Sequence, residues 1–236
     1  MGAIITNGLV GCWDAASKNS YPGSGSTWTS ITENIVATWQ GTEYDFIDQK
    51  TGYFRINQDG TENSYAEVGT SAVGYDLVNI TGTSISLFCW VNRVNHADIG
   101  TAYLALIAKR GSGTPQFTLN WYCASCYGTG GNPQLTFEIG SNGVMRSSEA
   151  ALTGWHHVGC TYDGSNVHFY LDGQPWGTTS YTAAMSSTTD SFKIGWDGNV
   201  PVKAIADIGI VHVYNRPLTA SEVKENYVAQ RGRYQI

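Results

Sequence analysis

The sequence predicts an all-β protein, a two-sheet antiparallel sandwich with one short helix near its C-terminal end. Three observations predict it. The stretch Trp155 to Trp176, WHHVGCTYDGSNVHFYLDGQPW, runs aromatic and β-branched residues up to Asp163-Gly164 and again up to Asp172-Gly173, the strongest short-range signal for tight hairpins. Glycine is 28 of 236 residues and charged residues are 14%, against usual shares of about 7% and about 25%, and both shifts favour turns and strands over helices. Along nearly the whole chain the apolar runs are short and punctuated by Gly, Ser, Asn and Pro, and the period becomes helical only after Pro217.

The central hairpin sets the pattern. His156, Val158, Cys160 and Tyr162 share one face of its first strand, with Trp155, His157, Gly159 and Thr161 on the other. On the second strand Val167, Phe169 and Leu171 oppose His168 and Tyr170. One face is apolar and the other mixed, as expected for a strand with one side in the core of a sandwich. Before the hairpin, strands are expected over Gly8–Asp14, Thr38–Phe46, Gly52–Ile56, Ser64–Val68, Ser84–Val94, Tyr103–Lys109, Gln116–Tyr122, Gln134–Ile139 and Val144–Ser147. Ala15–Thr27 is a loop, with Pro22-Gly23 fitting a type II turn. After it come Ser191–Trp196, a loop over Asp197–Lys203, and a strand over Ala204–Tyr214. Pro217 ends that strand. Thr219 and Glu222 then make a capping box for a helix over Ala220–Gln230, which Val223 and Tyr227, four apart, would dock on the sandwich.

Composition limits the partners. A net charge of −6 leaves no basic stripe for neutralising phosphates, so a nucleic-acid partner is not expected. The opening MGAIITNGLVGCW has neither the basic start nor the long apolar run of a secretory leader, no later run approaches membrane-spanning length, and folding in a cytoplasm is the expectation. Five cysteines, an odd number, fit a reducing compartment. One domain spanning 1–236 is expected, since sandwiches reach this size as one unit and no linker interrupts the composition.

The residues of the last third carry a family resemblance. Leu152–Gly164, Val167–Gly173, Phe192–Gly195, Asp207–Tyr214 and Asn215–Glu222, read through to Tyr227, together resemble the laminin-G-like, concanavalin-A-like lectin/glucanase jelly roll. Phe54–Val68 and Ser84–Val91 look like earlier strands of that family, whereas Ile31–Thr51 lacks its usual Gly/Asn-rich turn. The opening segment Gly8–Trp28 resembles the start of laminin-G-like proteins encoded by tailed phages. The resemblance implies a virion component, such as a capsid decoration protein, head fibre or adhesin, made in the host cytoplasm. It also implies self-association into a homo-oligomer, docking on capsid or tail proteins, and contact with host surface glycans. A lectin module with no tie to a virion is the alternative.

Glycanases of this fold carry runs of carboxylates at period two on one strand. This chain offers only Glu43 and Asp45, a pair without a third member, and neither a Gly-x-Ser-x-Gly elbow nor a metalloprotease motif is present, so no enzymatic activity is expected. His156 and His157 are adjacent on a strand, point to opposite faces and cannot chelate one ion together. Cys123 and Cys126 have the spacing of half a zinc ribbon with no matching second pair, and read as a reduced loop, a later disulfide, or a zinc site shared with a second molecule. No cofactor is required. The family resemblance makes Asp207 either a ligand of a structural Ca²⁺ or an acid bonded to backbone amides.

Loop aromatics are the remaining candidates: Trp28, Trp121, Tyr122, Tyr127, Trp176 and Trp196. A sugar needs an aromatic face for its C–H groups and polar groups for its hydroxyls. Asn120-Trp121-Tyr122 and Trp196-Asp197-Gly198-Asn199 combine both, which makes Trp121, Tyr122, Trp196, Asp197 and Asn199 the candidate glycan-binding residues.

Overall fold

The computed structural model describes residues 3–57, 63–93, 103–111, 113–122, 134–140, 144–147, 152–198 and 206–235. Sixteen strands, a 3-10 helix at Tyr75–Val78 and one α-helix are found there: β1 (Leu9–Asp14), β2 (Thr27–Thr29), β3 (Val36–Gln40), β4 (Tyr44–Ile47), β5 (Tyr53–Ile56), β6 (Tyr65–Val68), β7 (Ile85–Arg93) and β8 (Tyr103–Lys109). There follow β9 (Phe117–Tyr122), β10 (Gln134–Glu138), β11 (Val144–Arg146), β12 (Trp155–Tyr162), β13 (Asn166–Leu171), β14 (Gln174–Ser180), β15 (Phe192–Ile194), β16 (Ala206–Tyr214) and α1 (Ala220–Tyr234). Every recorded strand pairing is antiparallel. The strands form two sheets of eight. Sheet A has the order β14-β13-β12-β7-β16-β5-β4 with β1 also on β16, and sheet B the order β11-β10-β9-β8-β15-β6-β3-β2. The fold is thus the expected all-β jelly-roll sandwich with a C-terminal helix.

The core lies between the sheets, and alternation fills it. Val158, Cys160 and Tyr162 of β12, Val167 and Phe169 of β13, and Leu119 and Trp121 of β9 all point inward and are buried. The expected hairpin forms, with Cys160 opposite Phe169 and Tyr162 opposite Val167. β16 is the most shared strand. It pairs with β7 on one side, and on the other with β5 along Ala206–Ile208 and with β1 along Ile210–Tyr214. The change of partner falls at Gly209, where the β7 register also shifts.

The expected strand over Thr38–Phe46 is two strands in different sheets. β3 pairs with β6 in sheet B and β4 with β5 in sheet A. Gly41 makes the crossing with φ +80°, and an added Cβ would stand 2.6 Å from Ser64 Oγ and 2.9 Å from the Asn63 carbonyl oxygen, so only glycine fits. Trp28, placed in a loop by the sequence, starts no ligand surface. It sits in the short strand β2 and its ring stacks on Trp39 at 5.9 Å, fully buried.

The capping box forms as read: the Thr219 side chain accepts from Glu222 N, and the Glu222 side chain accepts from Thr219 N. The helix runs one turn beyond Gln230 because Tyr234 lies flat on Trp90, with ring centroids 4.1 Å apart. Its buried residues are Val223, Asn226, Ala229 and Tyr234. It covers the outer face of sheet A, so both faces of that sheet are packed.

Candidate functional site

The outer face of sheet B is the polar one. Its registers place Thr38, Glu67, Lys193, Ala108, Thr118 and Glu138 opposite one another in turn, so their outward side chains form one row across six strands. Next to it Ala105, Asn120 and Thr136 make a second row, and Tyr122 with Gln134 begins a third. Ala105, Ala108, Thr118 and Thr136 are fully buried, so the middle of this face is closed to solvent, and Lys193 and Asp197 are nearly so. The Asn120 side chain is 3% exposed and its Oδ1 lacks a hydrogen-bond partner, an acceptor held out of water that a donor would satisfy.

A charged cluster stands at the Lys193–Glu138 end. Arg110, just past β8, reaches Glu138 Oε2 and Asp197 Oδ2 with one nitrogen, at 3.6 Å each. Lys193 Nζ donates to the Arg110 carbonyl oxygen at 2.7 Å and stands 5.9 Å from the Trp196 ring. The Trp196 ring in turn lies 4.7 Å from that of Tyr65, inclined by 45°. Ser191 donates to Glu67. Burial raises the Glu138 carboxyl, Arg110 pulls it back down, and the Asp197 charge raises it further. Burial lowers the Lys193 ammonium against the opposing pull of Glu67, Asp190 and Asp197. The strip offers a half-exposed aromatic ring beside positioned donors and acceptors of both signs.

Alternation decides the fate of the residues singled out by the sequence. Trp121 is 1% exposed, with its ring in the core. A ring packed on both faces has none to offer a sugar, so Trp121 leaves the candidate set, while its neighbours Asn120 and Tyr122 point to the outer face. Trp176 is likewise core. Trp196 and Asp197 sit together in the charged cluster. Asn199, Tyr127, Cys123 and Cys126 lie outside the described residues. Arg110, Glu138, Lys193 and Glu67 were not singled out by the sequence, and only the strand registers bring them together.

Asp207 does not fit a calcium ligand. Arg55 and Asn92 face it directly from the two flanking strands. Arg55 Nε donates to Oδ1 at 2.6 Å and its terminal nitrogen to Oδ2 at 2.9 Å, while Asn92 Nδ2 donates to Oδ2 at 3.0 Å. The guanidinium stands where a cation would, and both oxygens are taken. Among the described residues no group of three or more His, Cys, Asp or Glu could hold a metal ion. His156 and His157 diverge as expected, His156 to Asp172 Oδ2 at 2.8 Å and His157 under α1.

A family model for the concanavalin A-like lectin/glucanases superfamily, of the laminin G type, matches residues 59–224. The chain belongs to this superfamily. The matched span runs from before β6 into α1 and so takes in most of both sheets. No curated protein matches the sequence closely enough to count as a relative. Among solved structures, a mutant of Trypanosoma rangeli sialidase displaying trans-sialidase activity is similar at 20% identity and TM-score 0.69, over 98% of this chain and 34% of that one. The binding domain of Paraclostridial Mosquitocidal Protein 1 is similar at 15% identity and TM-score 0.66, over 94% of this chain and 52% of that one. The botulinum neurotoxin type G receptor binding domain follows at 17% identity and TM-score 0.62, over 95% and 52%. The chain of this lectin-like superfamily member thus spans about a third of the sialidase and about half of each toxin domain, and these likenesses show a shared fold.

Proposed function

We propose that the chain is a non-enzymatic carbohydrate-binding module that holds a glycan at the Trp196 end of the outer face of sheet B, with Trp196 as its stacking platform. The observation that carries the reading is Trp196 standing beside Lys193 and Asp197, with Arg110 and Glu138 on the same strip. An aromatic face takes the C–H side of a sugar ring, and fixed donors and acceptors take its hydroxyls. Asn120 and Tyr122 extend the strip. The fold shared with receptor-binding domains of toxins adds support by analogy. Isothermal titration against a broad panel of surface polysaccharides is expected to give saturable binding, weakened at least tenfold (about 1.4 kcal/mol) by Trp196→Ala at unchanged circular dichroism. Flat titrations across the panel would end the proposal.

For its setting we propose a virion, in which the protein is a decoration, head-fibre or adhesin component made in the host cytoplasm, self-associated and docked on capsid or tail proteins. The opening segment Gly8–Trp28 favours this reading through its likeness to phage laminin-G-like proteins. Mass spectrometry of purified virions is expected to find the protein in many copies, and its absence would reject the setting without touching the glycan site.

A further inference from the structure

We propose that α1 is an acid-released cover: protonation of His157 and His212 lifts it from sheet A and opens the aromatic face beneath. That face consists of Trp90 of β7, Ile210 of β16 and Trp155 of β12, packed against Tyr227 and Tyr234 of the helix, and of Phe88 of β7, clustered with Val223.

The two imidazoles lie directly under the helix, each 1% exposed. His157 is stacked on Phe88 at 5.1 Å, with Trp90 at 5.2 Å and Tyr227 at 6.2 Å, and neither ring nitrogen has a hydrogen-bond partner. A proton there would place two charged N–H donors among rings with nothing to receive them. His212 is wired to the helix. Trp90 Nε1 donates to Gln230 Oε1 at 2.8 Å, which turns the Gln230 amide nitrogen toward His212 Nε2 at 3.3 Å. The chain has one direction, because the indole can only donate and His212 Nε2 must therefore accept. Protonated His212 presents a donor to a donor. Flipping the Gln230 amide to satisfy it would turn the amide nitrogen onto the Trp90 N–H instead.

The surrounding charges offer no rescue. From β1, Asp14 is bound to Arg233 at 2.6 Å, and Cys12 is a buried thiol. From the turn after β13, Asp172 accepts from the His157 backbone N and faces His156. From β13 Tyr170 and from β16 Tyr214 are phenols, the latter bonded to Asn226. From α1 come Arg231, over the Tyr227 ring, and Arg233, both cations. Burial lowers His157 to about 3, with the His212 charge adding to the effect. Burial lowers His212 to about 4, against Asp14 and with Arg233. Helix and strands differ in what holds them. The strands share hydrogen-bond ladders, while α1 meets the sheet through side chains. Its start stays anchored, because Arg216 grips Glu222 at 2.6 Å and holds that carboxyl down at about 2.

Hydrogen exchange of the full chain, corrected for the intrinsic pH dependence of exchange, tests this between pH 7.5 and 4.0. Protection over residues 226–234, beyond the anchored start, is expected to fall at least tenfold while β7 and β12 stay protected, and the double variant His157→Phe/His212→Gln is expected to keep α1 protected at pH 4.0. Unchanged α1 protection, loss of helix and sheet in one step, or release of the double variant at the parent's pH would each overturn the proposal. Should that variant fail to fold, ring ¹⁵N shifts of the parent decide: both imidazoles must take up protons in the step that opens α1, and rings neutral through that step overturn it.

Discussion

Arg55 and Asp207 face each other across β5 and β16, joined by two hydrogen bonds of 2.6 and 2.9 Å, with the Asp207 side chain 1% and the Arg55 side chain 33% exposed. The pair puts a protein cation where the family resemblance allowed a structural Ca²⁺. Removing Arg55 leaves a buried carboxylate with Asn92 as its remaining side-chain partner, and Arg55→Leu is expected to cost on the order of 3 kcal/mol, read from urea unfolding. EDTA is expected to leave the thermal midpoint unchanged, and a drop restored by Ca²⁺ would contradict the assignment.

Trp121 and Trp196 are expected to separate stability from binding. Trp121→Ala empties a core position and should cost about 3–5 kcal/mol in urea unfolding. Trp196→Ala trims a partly buried ring at the margin of the core and should cost clearly less stability than Trp121→Ala while glycan binding falls. Equal losses of stability in the two variants would place Trp196 in the core.

Lys109 gives a stability change of unusual sign. It is fully buried, donates to the Tyr75 hydroxyl at 2.7 Å and to the Asp190 carbonyl, and burial lowers its ammonium to about 8. Between about pH 8 and the unfolded value of 10.5, the unfolded chain carries a proton that the folded chain has lost. Stability from this group therefore rises with pH in that window, by up to about 1.4 kcal/mol per unit. Urea unfolding at pH 8.0, 8.75 and 9.5 is expected to show the stability of the parent relative to Lys109→Met rising across the series, a difference that cancels the opposite contribution of the buried thiols Cys12, Cys89 and Cys160. A parent curve that is flat or falling over that window, matched by the variant, would refute the effect.

Gly209 marks the point where β16 changes partner, and a Cβ there would stand 2.3 Å from the Tyr234 hydroxyl. Gly209→Ala is expected to destabilise by about 1–3 kcal/mol and to loosen the last turn of α1. Adding Tyr234→Phe removes the clashing oxygen and should recover most of the loss in the same thermal melts.

The sequence by itself marked most of the extended segments and how they alternate, but not β2 or the break between β3 and β4. The Asp-Gly turns marked the hairpin ends and Thr219 with Glu222 the helix start, because each of these is set by interactions within a few residues, and the glycine-rich, charge-poor composition marked the class. Alternation separates two faces without saying which is core when both carry aromatics, as at Asn120-Trp121-Tyr122, and there only the packing of the second sheet decided that Trp121 points inward. Tertiary structure also split Val36–Gln40 from Tyr44–Ile47 into different sheets, set α1 over His157 and His212, and gave Asp207 its guanidinium. The strip of Glu67, Arg110, Glu138, Lys193 and Asp197 exists only through pairing between strands far apart in the chain, and no local pattern encodes which distant strand becomes the neighbour.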